Sequence, residues 1–317
     1  MQANMGMAGE FRVVVKRVDG STKIDTGYQK NLILNQGLDF FGGGNGSDMM
    51  NYCVIGSGNS QPVYTQNKLD TAIQGVFGDN FSTKYDYDAA RDGNLYKTNK
   101  VNKYSFTGLN NVNVSELGLA PTYRNATTYF LCTRALIKDS QGNPTTITVL
   151  SGEILEVYYK LWAVFDTTDK IGQINLLDGV GGSVAYNYKC RIANVGDRLY
   201  ADIARYINFV VNNNSAYLYY NNEDIATINS KPSGSSATVS SYTANPYNAG
   251  DYKKTYNLTY GVGIANGKVR TLLPYMIGMM WQIRFGSVAD DSPINKTNTQ
   301  TLSIPIEFSW GRYEGAL

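Results

Sequence analysis

Glu153 and Glu156 stand three residues apart in "SGEILEVYYKLWAVF". Paired carboxylates are the machinery of glycoside hydrolysis, one as proton donor and one as nucleophile or base. In an extended strand, however, residues three apart point to opposite faces, so this pair does not converge unaided. "DYDAARDG" places Asp86, Asp88 and Asp92 close together, as an acidic calcium loop does. It lacks the required glycine and the closing glutamate, and Arg91 sits inside it, so a solvated turn is the expectation. "GSGNS" (56–60) and "GVGIANG" (261–267) brush against glycine-rich phosphate loops. Neither completes the dinucleotide spacing or runs into Gly-Lys-Ser/Thr, and both read as turns. Cys53, Cys132 and Cys190 are far apart and show no paired spacing, which implies neither a zinc site nor a disulfide framework. Histidine is absent, and with it the commonest general base, the usual metal ligand and every Ser-His or Cys-His nucleophile. The expectation is a protein that is not an enzyme, with no cofactor and no metal.

What remains is binding. Tyr217, Tyr219 and Tyr220 lie beside Asn212 to Asn214, and tyrosine combines a flat apolar body with a polar tip suited to protein or sugar surfaces. These three tyrosines are the candidate interaction residues; the alternative is that they pack within a sheet. The second face of the 154–166 stretch, with Glu156, Tyr158, Lys160, Trp162 and Val164, is half charged and half apolar. It suits either a neighbouring subunit or a covering element of the same chain.

The chain of 317 residues carries 28 basic and 26 acidic side chains, a net charge of +2 without blocks of one sign. Electrostatics therefore predict neither a nucleic-acid groove nor an anionic membrane as partner. Charged residues are 17% of the chain, and 25 tyrosines with many Asn, Ser and Thr fill the gap. Such a surface fits packing against other subunits. No basic start followed by an apolar run marks a signal peptide, and the longest apolar run, "LLPYMIGMMW", is too short to span a bilayer.

The elements that position these residues read as strands. "FRVVVKRV", the Asp19-Gly20 turn and "TKIDTGY" predict a hairpin. "KNLILNQGLDFF" predicts a short helix near Leu38, and "NKLDTAIQG" a helical turn or two. Leu155, Val157, Tyr159, Leu161, Ala163 and Phe165 share the apolar face of a long strand. "DTTDKIGQINLLDGVGGS" reads as a loop or linker, and 212–251 as long loops with one Tyr-rich strand. "VRTLLPYMIGMMWQIRF" reads as a strand bent or at an edge because of Pro274 and Gly278. "TQTLSIPIEFSWGRY" alternates over its whole length, with Pro305 expected to face an edge or a bulge. The expected class is all-β, mainly antiparallel, a sandwich-like scaffold with long loops and one or two short helices. The expected organisation is an N-terminal scaffold at 1–165, a loop-rich middle at 166–251 and C-terminal strands at 252–317 completing the core, or a single domain.

Four stretches in order carry a resemblance: "KNLILNQGLDFFGGG" with "VIGSGNSQP", then "FTGLNNVNVSELGLAPT", then "RALIKDSQGNPTTITVLSGEILEVYYKLWAVF", then "SPINKTNTQTLSIPIEFSWGRY". This succession resembles tail-associated virion proteins of tailed bacteriophages, the β-rich components of sheath, collar, baseplate or fibre attachment. It covers about half of the chain, mostly its two ends. The resemblance implies a structural protein of the virion tail, synthesised in the bacterial cytoplasm. Its partners would be further copies of itself, as a symmetric homo-oligomer, and other phage tail proteins. The alternative function is a receptor-binding tail protein whose partner is a host cell-surface glycan. No nucleic acid and no membrane insertion are implied, and none of the matching residues is expected to do chemistry.

Overall fold

The computed structural model describes residues 1–43, 46–79, 89–177, 181–195, 216–276 and 279–317. The described chain is all-β, with its paired strands running mainly antiparallel. In chain order the strands are β1 (Gln2–Lys16), β2 (Thr22–Asp25), β3 (Gln29–Ile33), β4 (Tyr52–Gly56), β5 (Ala72–Phe77), β6 (Ala89–Asp92), β7 (Leu95–Phe106), β8 (Val112–Val114) and β9 (Glu116–Ala120). They continue as β10 (Tyr123–Asn125), β11 (Thr128–Tyr129), β12 (Thr133–Leu136), β13 (Ile147–Val149), β14 (Ile154–Asp166), β15 (Lys170–Leu177), β16 (Ser183–Ala193) and β17 (Ala216–Tyr219). The last are β18 (Ser236–Thr238), β19 (Ser241–Ala244), β20 (Lys253–Tyr260), β21 (Gly267–Val269), β22 (Thr271–Met276), β23 (Met279–Ser287), β24 (Ile294–Lys296) and β25 (Leu302–Arg312). One α-helix, α1 (Asn35–Gly42), forms where a helix near Leu38 is expected, and a 3-10 turn follows at Gly46–Met50.

Two compact units divide the chain. The first holds 6–91, 97–164 and 311–317; the second holds 1–5, 92–96 and 165–310. The expected boundary at Phe165 is a crossing point, whereas the expected middle segment 166–251 shares the second unit with most of the C-terminal strands.

In the first unit, the long strand β14 pairs antiparallel with β1 from Gly6↔Val164 to Lys16↔Ile154. Phe11, Val13 and Val15 thereby stand opposite Tyr159, Val157 and Leu155, and all six side chains are buried. These cross-strand pairs are the unit of sheet stability, and their period of two is the alternation seen in the sequence. The expected hairpin forms as β1–β2, with a register shift at Val15/Lys16. Beyond it the order β3-β12-β9-β4-β5 continues the sheet. β13 pairs with β8. "NKLDTAIQG" is not helical: its end is β5, which pairs with β4 from Tyr52↔Phe77 to Gly56↔Ala72. Pairing with a buried neighbour overrides a weak local helix preference.

In the second unit, six strands run β15-β16-β23-β22-β17-β18. The core holds Trp281, Ile283, Phe285, Ile192, Leu218 and Leu272, and Phe165 meets Trp281 edge-on with ring centroids 6.3 Å apart. The segment read as a linker is the strand pair β15–β16, in register from Lys170↔Cys190 to Leu177↔Ser183. "VRTLLPYMIGMMWQIRF" is two strands rather than one bent strand. β22 and β23 pair at Leu272↔Ile283 and again at Tyr275↔Met280, and no pairing joins them at Leu273 and Pro274 between. Pro274 therefore sits inside an interior strand, at the place where the ladder is already interrupted. In the set β19–β20–β25, Glu307 donates its backbone N–H to the Met1 carbonyl at 2.8 Å, away from β20. Pro305, two residues earlier, turns its nitrogen the same way, so the β20–β25 ladder loses no bond to it.

Candidate functional site

The residues that sequence reasoning singled out for catalysis are each held by separate partners. Glu153 accepts from the Lys23 ammonium (2.7 Å) and the Leu150 amide (2.8 Å). Glu156 is ion-paired with Lys103 and accepts from the Tyr158 hydroxyl at 3.0 Å. Asp86 and Asp88 lie outside the described residues, as do Asn212 to Asn214. All three cysteines are buried free thiols, and burial pushes each upward, Cys190 to about 12. Among the described residues, no three His, Cys, Asp or Glu side chains are grouped to hold a metal ion.

The tyrosine cluster divides. Tyr217 is 36% exposed, whereas Tyr219 is 5% exposed and donates its hydroxyl to the Pro232 carbonyl at 3.0 Å. Tyr220 lies past the end of β17, half-buried, its amide bonded to the Ser235 carbonyl. Tyr217 alone of the three presents a broad ring to solvent. Tyr219 is a packing residue of the sheet.

The "GSGNS" loop has a different purpose from phosphate binding. Its Gly58 amide donates at 2.9 Å to Oε1 of Glu116, which also accepts from the Thr71 amide at 3.0 Å. Oε2 of Glu116 takes two bonds from the Arg134 guanidinium, at 3.0 and 2.7 Å. Both Glu116 and Arg134 are fully buried. Arg134 also reaches Asp70 (3.0 Å) and the Ser60 hydroxyl (3.1 Å). Burial opposes the charge of Asp70, but the Ser60 hydroxyl and amide together with Arg134 outweigh it and hold the carboxyl below its ordinary range. The loop's donors thus go to a protein carboxylate standing where an anion would sit. Gly58 is required because a Cβ there would collide with Asp70 and the Glu116 carboxylate. Two residues of this network carry a sequence signal that motif reading missed: Glu116 and Arg134 are the single charges of short, mostly apolar strands, "ELGLA" and "TRAL". Such isolated opposite charges are the mark of a buried pair.

The half-charged face of β14 is covered from its own chain. Arg12 lies 5.8 Å and Lys103 5.7 Å from the Tyr158 ring centre. The Lys160 ammonium sits 4.4 Å above Tyr28 and 5.7 Å from Trp162. Trp162 donates its indole N–H to Glu10 at 2.8 Å and is buried. Alternating cations and rings fill this face, which accounts for its mixed composition without a second subunit.

One cavity of about 390 Å³ opens in the first unit, lined among others by Lys30, Asn31, Tyr64, Arg134, Lys138 and Arg312. Its cations are largely committed. Lys30 donates to the Gly315 carbonyl (3.1 Å). Arg312 donates to the Ile33 carbonyl (2.6 Å) and Asn35 (2.5 Å), and stacks 3.9 Å from the Tyr64 ring centre. The Tyr64 hydroxyl donates to Glu314 at 2.8 Å, which raises its own proton affinity. The polar groups named here are thus turned onto one another and onto backbone carbonyls of the same unit. Compared with known protein families, with curated proteins and with solved structures, the chain matches none.

Proposed function

We propose that the chain is a non-enzymatic structural component of a bacteriophage tail, working as a symmetric homo-oligomer around or at the end of the tail. The observation that supports this reading is how the resemblance-bearing stretches pack. The first three supply β3, β12, β9 and β4, which are consecutive neighbours in one sheet, and the β8–β13 pair. The Ser60–Asp70–Glu116–Arg134 network ties these stretches together through the buried Glu116–Arg134 pair and more exposed bonds to Ser60 and Asp70. Packing of these stretches against one another supports a scaffold role for them.

The test is to purify particles of the phage that encodes this chain and locate the subunit by mass spectrometry and imaging of labelled protein. Finding it in the tail in several symmetric copies is the expected result. Absence from purified particles overturns the reading. Binding of the purified protein on a glycan array, lost on Tyr217→Ser, would move the assignment to the receptor-binding alternative. Turnover of capsular or lipopolysaccharide glycan, abolished by changing one carboxylate, would refute the non-enzymatic part.

A further inference from the structure

β15 is the outermost strand of the six-stranded sheet and, among the described residues, pairs on one side only, with β16. Its eight residues, "KIGQINLL", run without a register shift, without proline and with a single charge. That charge, Lys170, is turned back to Asp166 and the Thr168 hydroxyl. Edge strands are ordinarily guarded by lysines, prolines, bulges or short length, because an open row of backbone donors and acceptors recruits another strand. Past Lys170, and among the described residues, this edge has none of those guards. It also displays Ile171 at 76% and Leu177 at 87% exposure.

Side-chain parity then selects a partner. Ile171, Gln173, Asn175 and Leu177 lie on one face of the strand and are all exposed, while Gly172, Ile174 and Leu176 lie on the other. Gly172 is backed by Tyr188: a Cβ there would come within 2.6 Å of the tyrosine hydroxyl. When two antiparallel strands are related by a two-fold axis through Ile174, Ile171 of each copy stands directly opposite Leu177 of the other. Gln173 stands opposite Asn175, apolar meeting apolar and amide meeting amide. The neighbouring register, centred on Gln173, would set Ile171 against Asn175 and waste the match. With a net charge of only +2, two copies meet little repulsion.

We propose that β15 is an interface between two copies of this chain, pairing edge to edge about Ile174 into one continuous sheet. The pairing is isologous and closes at two copies, so a larger assembly would be built from these dimers through a different surface. The proposal rests on the self-association in the functional reading but not on the location in a virion.

The test uses the full chain and two paired variants. In Ile171→Cys with Leu177→Cys, each new thiol faces its counterpart across the axis, at the Cα spacing a disulfide accepts. Within one strand the two positions are roughly 20 Å apart, so they cannot bridge inside a chain. The native cysteines are buried and do not compete. Mild oxidation is expected to give at least ten-fold more covalent dimer than the off-register control Ile171→Cys with Gln173→Cys. In Ile171→Lys with Leu177→Lys, sedimentation should show dimerisation weakened roughly 100-fold, with the circular dichroism unchanged. Equal cross-linking in the two cysteine variants overturns the proposal. So does an undiminished oligomer in the lysine variant, although self-association would then stand through another surface. A wild-type chain that stays monomeric at about 100 μM overturns the interface as well, while the question of tail location is decided separately by the particles.

Discussion

Glu116 and Arg134 are the residues on which the first unit's polar interior turns. A buried ion pair contributes little net stability against an apolar replacement of both partners, but removing one partner strands the other charge in a dry interior. Arg134→Met leaves Glu116 with amide donors alone, and an urea titration is expected to show a loss of about 3–5 kcal/mol. Adding Glu116→Gln to it should cost at least about 1 kcal/mol less than the two single changes summed; strict additivity would show that the pair is not coupled. At the surface the magnitudes fall. Arg12 holds the Asp25 carboxyl down to about 2 through a two-pronged contact, yet both side chains are over a third exposed. Water screens that contact to under about 1 kcal/mol. Because the folded carboxyl titrates below the unfolded one near 3.9, its contribution is full above about pH 4 and is lost as pH falls through about 2. The stability difference between wild type and Asp25→Asn should therefore shrink over that window and vanish below it; a difference that persists to pH 1.5 would place its origin elsewhere.

At the scale of elements, what was legible in the sequence was whatever repeats every second residue. β14 and β25 declare themselves by alternation, and the β1–β2 hairpin by its Asp19-Gly20 turn. β15 did not, because its inward face consists of a lysine, a half-buried glycine and isoleucine and a single buried leucine, while its exposed face is also partly apolar. The glycine gap there is filled by Tyr188 from the neighbouring strand, a tertiary fact no local pattern reports. β22 and β23 fused into one reading because both are apolar throughout, as interior strands are, and Pro274 stood in for a bend. The tyrosine cluster illustrates the same limit: Tyr217 and Tyr219 share strand parity, but the Pro232 segment covers only the second. Tyr219→Ser is expected to lower stability by about 3 kcal/mol or more, and Tyr217→Ser by less than about 0.5 kcal/mol, read from thermal or urea unfolding. Equal costs would mean that Tyr217 is packed too. On β14, Trp162→Phe keeps an aromatic six-membered ring but leaves Glu10 without its indole donor, for an expected loss of about 1–2 kcal/mol. The same change in a Glu10→Gln background should cost measurably less.

For the whole molecule, charge was readable from composition and class from alternation, whereas the way the first residues and the 92–96 segment join a unit otherwise made from the later chain was not. Contacts of such sequence separation leave no local trace. Composition does set the physics of association. With charged residues at 17% and a net charge of +2, no extended field of one sign exists to draw copies together or hold them apart. The features that present themselves for contact are uncharged: an open strand edge, Ile171, Leu177 and the amides of Gln173 and Asn175. Backbone pairing and apolar burial depend weakly on salt, whereas contacts between surface charges fade once the screening length drops below their separation. Self-association of the purified chain should therefore change by less than about three-fold between 0.05 and 0.5 M sodium chloride, while a charge-driven assembly would weaken by ten-fold or more over that range. Sedimentation equilibrium at the two salt concentrations decides between them, and a steep loss at high salt would assign assembly to charged clusters such as Arg284 with Asp224 and Asp291 instead of the sheet edge.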